Sequence, residues 1–124
     1  MIFCWLYFEW NVSFEDILIT TGGSEALLFA FNSCLNQGDE VIIPEPFYAN
    51  YNGFAKTCGV NVTPVTANIE NGFALPPISD FEKLITPKTK AIVPVHLFGQ
   101  CANMDALMAL AKEHNLYIIE DNAQ

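Results

Sequence analysis

Residues 20–31 read TTGGSEALLFAF. The apolar run Ile17-Leu18-Ile19 leads into Gly22 and Gly23, and a helical pattern begins at once. Strand, tight turn and helix N-terminus in succession build an anion site. Glycines without Cβ atoms let the backbone turn sharply and approach a ligand. The first N–H groups of the helix have no partner within it and sit at the positive end of its dipole. A phosphate suits that place. The same residues also read as a plain strand-to-helix connection with Ser24 as the cap.

Outward from this stretch, strand-like and helix-like segments alternate to the end of the chain. That is the signature of βαβ units, so the expected fold class is α/β: a three-layer α/β/α arrangement around a mostly parallel sheet of about five strands. Strands are expected at 16–20, 40–44, 61–66, 91–97 and 116–120. Helices are expected at 24–35, 48–58 and 104–114, with a shorter one opened by the capping-box pattern Ser79-Asp80-Phe81-Glu82 and stopped by Pro87. Val41-Ile42-Ile43 is a β-branched run of the kind buried on both faces, and Pro64 sends the 61–66 strand to a sheet edge. The 24–35 helix is apolar almost all round and predicts cover on more than one side. Met104, Leu107, Met108 and Ala111 form the expected core stripe of the 104–114 helix.

The chain has 124 residues, one domain at most, and a net charge of −9 with five cations, all lysine. That balance argues against nucleic acid and anionic membranes as partners, so an anionic ligand must be held locally by backbone and dipole. Cys4, Cys34, Cys58 and Cys101 are widely spaced, as are His96 and His114. Neither a metal site nor a disulfide framework is indicated, and buried free thiols in a reducing, cytoplasmic setting are expected. The apolar leader 1–10, MIFCWLYFEW, is too short to span a bilayer and has no cationic flank. Its role is open between an extra core element and a non-native leader.

In an open α/β sheet the ligand crevice lies beyond the carboxyl ends of the strands. There the sequence places Gly22-Gly23-Ser24, then Pro46-Phe47-Tyr48, then 96–100, then 121–124. A phosphate turn, an aromatic, a carboxylate and an amide match a planar, phosphorylated, protonated heterocycle. Tyr48 can lie against the ring, Asp121 can pair with a ring N–H⁺ and Gln124 can reach a ring oxygen. Each residue also has a plain reading: Tyr48 a core aromatic, Asp121 a loop residue or cap, Gln124 an exposed end.

TTGGSEAL at 20–27, with Gly38-Asp39-Glu40-Val41 and 46–51 (PFYANY), resembles the large domain of class I/II aminotransferases of the aspartate aminotransferase type. From residue 85 the text (ITPKTKAIVPVHLFGQ, then Met104-Asp105-Ala106-Leu107 and IIEDNAQ) resembles the DegT/DnrJ/EryC1/StrS sugar aminotransferases, another branch of the same fold. The chain thus reads as a chimera joined within 85–92, with 11–124 a partial large domain. Both resemblances imply pyridoxal 5'-phosphate as cofactor and amino-group transfer between an amino acid and an oxo acid or keto sugar. They imply that Gly23 and Ser24 take the phosphate, Tyr48 stacks on the ring, Asp121 pairs with the pyridine nitrogen and Gln124 lies near the ring hydroxyl. Glu25 and His96 are weaker candidates, His96 mainly structural. A homodimer is implied as well.

Transamination needs a lysine amine that bonds the cofactor and shuttles a proton. In both branches that lysine lies downstream of the aspartate strand. Lys56, Lys83, Lys88, Lys90 and Lys112 all fall on helix faces or at the opposite sheet edge, so no Schiff-base lysine is expected in this chain. The resemblance also gives a strand order 3-2-4-5-6-7-1, in which strand one pairs with a seventh strand not in this sequence. An inactive fragment or recombination product without cofactor is the rival expectation.

Overall fold

The structure, a computed structural model, describes residues 13–97 and 99–123. The apolar leader 1–10 and Gln124 lie outside the described residues. Four parallel strands form one sheet: β1 (Glu40–Glu45), β2 (Asn61–Thr66), β3 (Thr89–Ile92) and β4 (Tyr117–Ile118), in the order β2-β1-β3-β4. Those are the expected strands three, two, four and five, in the expected order. Pro64 pairs with Ile43 on the edge strand, where its missing N–H breaks no ladder on the open side. Helices α1 (Gly23–Cys34), α2 (Asn50–Thr57), α3 (Ile78–Glu82) and α4 (Met104–His114) cover the sheet.

β1 is the centre of the core. Val41, Ile42 and Ile43 are all fully buried, and the period-two alternation of a strand sends them to opposite faces. Val41 and Ile43, with Ala91 and Val93, pack under α1 and α2 against Phe31, Leu35, Tyr51 and Ala55. Ile42 and Ile92 pack on the other face against Val65, Phe81, Leu107 and Leu110 from β2, α3 and α4. Each of the valine, leucine, isoleucine and phenylalanine side chains among them contributes about 1.5–3 kcal/mol on leaving water. The three-layer α/β/α architecture follows from this division.

The structure corrects five local expectations. No strand forms at 16–20: Phe14–Asp16 is a 3-10 turn closed by Ser13 and Asp16, and 17–20 runs outside the sheet with Ile19 81% exposed. A strand needs a neighbour for its backbone groups, and none lies beside these residues among those described. Ser79 does not cap; Pro77 precedes the first turn of α3 without a side-chain cap, because the helix starts one residue before the serine. Met108 turns outward and Leu110 takes its place, since the stripe facing the sheet runs Met104-Leu107-Leu110-Ala111. α1 is covered on one side: Phe31 is its only fully buried side chain among the described residues. Of the thiols, Cys34 and Cys58 are half-buried but Cys101 is exposed.

The turn from α2 into β2 needs a left-handed residue. Gly59 has φ +71, and a Cβ there would stand 2.9 Å from Gln37 Cγ. Its carbonyl accepts from the Gly38 N–H at 2.8 Å, tying two turns together. Gly59→Ala is expected to cost about 1–2 kcal/mol, the ordinary cost of forcing an L-residue into this region. Chemical denaturation checks it; an unchanged midpoint would show that the turn re-forms without the positive φ.

Candidate functional site

β1, β3 and β4 all point their carboxyl ends at one pocket of about 420 Å³, lined by Gly23, Ser24, Tyr48, Tyr51, Asp121 and the apolar side chains of Leu27, Phe47 and Val95, among others. Four residues singled out in the sequence, Gly23, Ser24, Tyr48 and Asp121, are therefore brought together. They come from α1, the β1–α2 connection and the end of β4, three places separated by most of the chain.

α1 opens into this pocket. Its first intrahelical bond runs from Ala26 N–H to the Gly22 carbonyl (3.2 Å), and Gly22, not Ser24, is the N-cap, without a side-chain cap. Ser24 lies inside the first turn. The N–H groups of Gly23, Ser24 and Glu25 have no acceptor among the described residues, as the start of a helix dictates. The sharp turn expected of the glycines does not require them: Gly22 is extended, a conformation open to any residue, and a Cβ at either Gly22 or Gly23 would meet nothing within 4 Å. Glu25 does not line the pocket. Its carboxylate accepts from Thr21 N–H (2.7 Å) and Thr21 Oγ1 (3.1 Å), closing the turn before the helix.

Asp121 stands opposite. Its N–H donates to the Pro94 carbonyl (2.9 Å) and its carbonyl accepts from His96 N–H (3.1 Å), so the backbone is held in the ladder beside Val95. Oδ1 accepts from Ala123 N–H at 2.9 Å, and Oδ2 accepts from the Tyr51 hydroxyl. Tyr51 is 1% exposed and meets Phe47 edge to face, with ring centroids 5.8 Å apart. Burial first, then the hydrogen bond and charge of Asp121, push the Tyr51 phenol well above its ordinary range, so it is a neutral donor across the working range of pH. Sequence reasoning passed over Tyr51 as a site residue. The available signal was its position three residues after Tyr48, one turn on in the expected 48–58 helix; in the structure Tyr48 precedes α2, and the Tyr51 N–H donates to its carbonyl at 3.0 Å.

Tyr48 forms an exposed wall of the pocket, and its hydroxyl accepts from Asn50 Nδ2 at 2.6 Å. His96 is not part of the pocket. Val95 and Leu97 line it, and strand alternation turns His96 away. Its Nδ1 accepts from Ala102 N–H (3.1 Å), which leaves the proton on Nε2 to bond Glu120 (3.0 Å). That is a structural histidine. Among the described residues no lysine lines the pocket; Lys83, just past α3, pairs with Asp80 at 2.6 Å, and Lys90 bonds the Pro87 carbonyl at the far end of β3.

The arrangement offers backbone donors to an anion at one end, a carboxylate at the other and aromatic walls between, which fits a flat, phosphorylated, cationic ring. Among the described residues no helix is long and apolar enough to cross a membrane.

The chain is similar to known aminotransferases. The chain is 42% identical over 104 residues to the UDP-N-acetyl-3-dehydro-alpha-D-glucosamine 3-aminotransferase of Acidithiobacillus ferrooxidans, covering 82% of this chain and 27% of that protein. It is 42% identical over 108 residues to the L-glutamine:2-deoxy-scyllo-inosose aminotransferase of Micromonospora echinospora, covering 85% and 25%. Among solved structures, DesV of S. venezuelae superposes with a TM-score of 0.73 at 41% identity over 82% of this chain and 27% of its own. A Thermus thermophilus aspartate aminotransferase mutant superposes at 0.79 with 33% identity, over 89% and 32%. The chain spans about a quarter of the length of the curated relatives it matches. The profile of the DegT/DnrJ/EryC1/StrS aminotransferase family matches residues 12–124, and to that family the chain belongs.

Proposed function

We propose that this chain forms the cofactor-holding part of a pyridoxal 5'-phosphate aminotransferase that moves an amino group from an amino acid to a keto sugar or related oxo compound. The observation that carries the reading is the meeting of Gly23, Ser24, Tyr48 and Asp121 in one pocket. The N–H groups of Gly23 and Ser24 and the Ser24 hydroxyl hold the phosphate, Tyr48 covers the ring and Asp121 holds a proton on the ring nitrogen. Gln124, three residues after Asp121 in sequence, is assigned to the ring hydroxyl. When bound, the cofactor supplies an electron sink for the carbon that loses and gains the amino group. The lysine that such chemistry needs comes, on this reading, from outside this segment. Both aminotransferase branches among the similar proteins support the family-level chemistry, and the names of two relatives, one for a keto sugar and one for a keto-cyclitol, support the acceptor. A cytoplasmic homodimer belongs to the same reading, as does a junction of the two branches within 85–92.

Equilibrium dialysis with pyridoxine 5'-phosphate, which lacks the aldehyde that reacts with surface lysines, tests it directly. The phosphate ester is expected to bind at least about tenfold more tightly than pyridoxine, as charge-assisted bonds to an anion imply. Equal retention of the two, or none of either, overturns the assignment.

A further inference from the structure

We propose that Tyr51 is the positioning residue for the carboxylate that meets the cofactor's ring nitrogen, an inference that rests on the cofactor reading above. A carboxylate in an isolated bridge just past a strand has a fixed backbone but two free side-chain torsions. Asp121 has its backbone pinned by Pro94 and His96. Its side chain is pinned by Tyr51 at Oδ2 and by Ala123 N–H at Oδ1. Those two donors use two of about four lone-pair sites. The others remain for a donor in the pocket that Asp121 lines.

The chemistry of the donor matters. A lysine or arginine in this place would orient the carboxylate equally well, but its charge would compensate the one that Asp121 must offer to a ring N–H⁺. A phenol orients without neutralising. Burial and the edge-to-face contact with Phe47 hold Tyr51 in place, and its high proton affinity keeps it a donor. The bond also joins residues 70 positions apart, tying the α2 wall of the pocket to the β4 wall.

The test uses the full chain, pyridoxine 5'-phosphate, and its 1-deaza analogue, in which C–H replaces the ring nitrogen. Tyr51→Phe keeps the ring and its packing. It is expected to weaken binding of pyridoxine 5'-phosphate about three- to tenfold, the scale of one ordinary hydrogen bond felt indirectly through Asp121. Binding of the deaza analogue is expected to change by less than about twofold, because only the nitrogen reads Asp121. Equal weakening of both overturns the positioning role and leaves Tyr51 a packing residue. A wild-type chain that binds neither compound overturns the cofactor reading, and this inference with it. A second measurement does not need the Tyr51 variant to fold: in Asp121→Asn, the ultraviolet titration of Tyr51 is expected to fall toward the ordinary phenol range. A titration that does not move overturns the Tyr51–Asp121 contact itself.

Discussion

Phe31→Ala is expected to lower stability by about 3–5 kcal/mol, the usual cost of emptying a fully buried aromatic site, with a fall in melting temperature of about 10 °C or more. Phe31 is 0% exposed and is the sole fully buried residue of α1 among those described, with Leu35 just beyond the helix and Leu27 and Cys34 partly buried beside it. A domain of this size has about 5–15 kcal/mol in all, so the loss threatens the whole fold and first of all the attachment of α1. Amide exchange is the discriminating readout. The α1 amides are expected to lose protection while those of α4, docked on the other face by Leu107 and Leu110, keep more of theirs. Because α1 carries the Gly23 and Ser24 donors, binding of pyridoxine 5'-phosphate should fall in parallel. Phe29→Ala, two residues away at a side chain 42% exposed, is the control and should stay within about 1 kcal/mol. Equal costs for the two would mean that Phe31 does not hold the helix down.

The elements read well from the sequence are those whose cause is local or bilateral. Val41-Ile42-Ile43 announces a strand buried on both faces, and the structure buries it on both. Pro64 announces an edge, and β2 is an edge. What could not be read is what depends on a distant partner. Ile17-Leu18-Ile19 has every local mark of a strand, yet pairing is a property of two segments, and these residues have no neighbour in the sheet. Met108 and Leu110 are both apolar and two residues apart, and it is the packing of α4 against Ile42, Ile92 and Phe81, residues far off in sequence, that turns Leu110 inward. The site divides the same way. The glycine turn and Asp121 were visible because the ends of strands are where an α/β sheet keeps its ligand. Tyr51 was hidden because its importance lies in one bond to a residue 70 positions on. In composition it is one more aromatic on the buried side of a helix.

Two substitutions at Asp121 separate the charge it offers to a ligand from its part in the fold. Asp121→Asn keeps one acceptor oxygen for Ala123 N–H and puts an amide N–H₂ at the Oδ2 place, where it donates to the Tyr51 hydroxyl, so the pocket wall should survive with a stability change below about 1 kcal/mol. It removes the negative charge, and with it the pull on a protonated ring nitrogen. Binding of pyridoxine 5'-phosphate is expected to weaken roughly ten- to a hundredfold, the scale of an ion pair partly shielded from water. The wild-type preference for conditions in which the ring nitrogen is protonated should flatten as well. Asp121→Ala removes both functions. It leaves the buried Tyr51 hydroxyl without an acceptor, at a cost of about 1–3 kcal/mol, and the affinity loss should be at least as large as for the amide. Calorimetry and dialysis on the two variants give four numbers. If the amide variant binds as the wild type does, Asp121 does not meet a cationic ring, and its conspicuous place in the pocket is explained by Tyr51 alone.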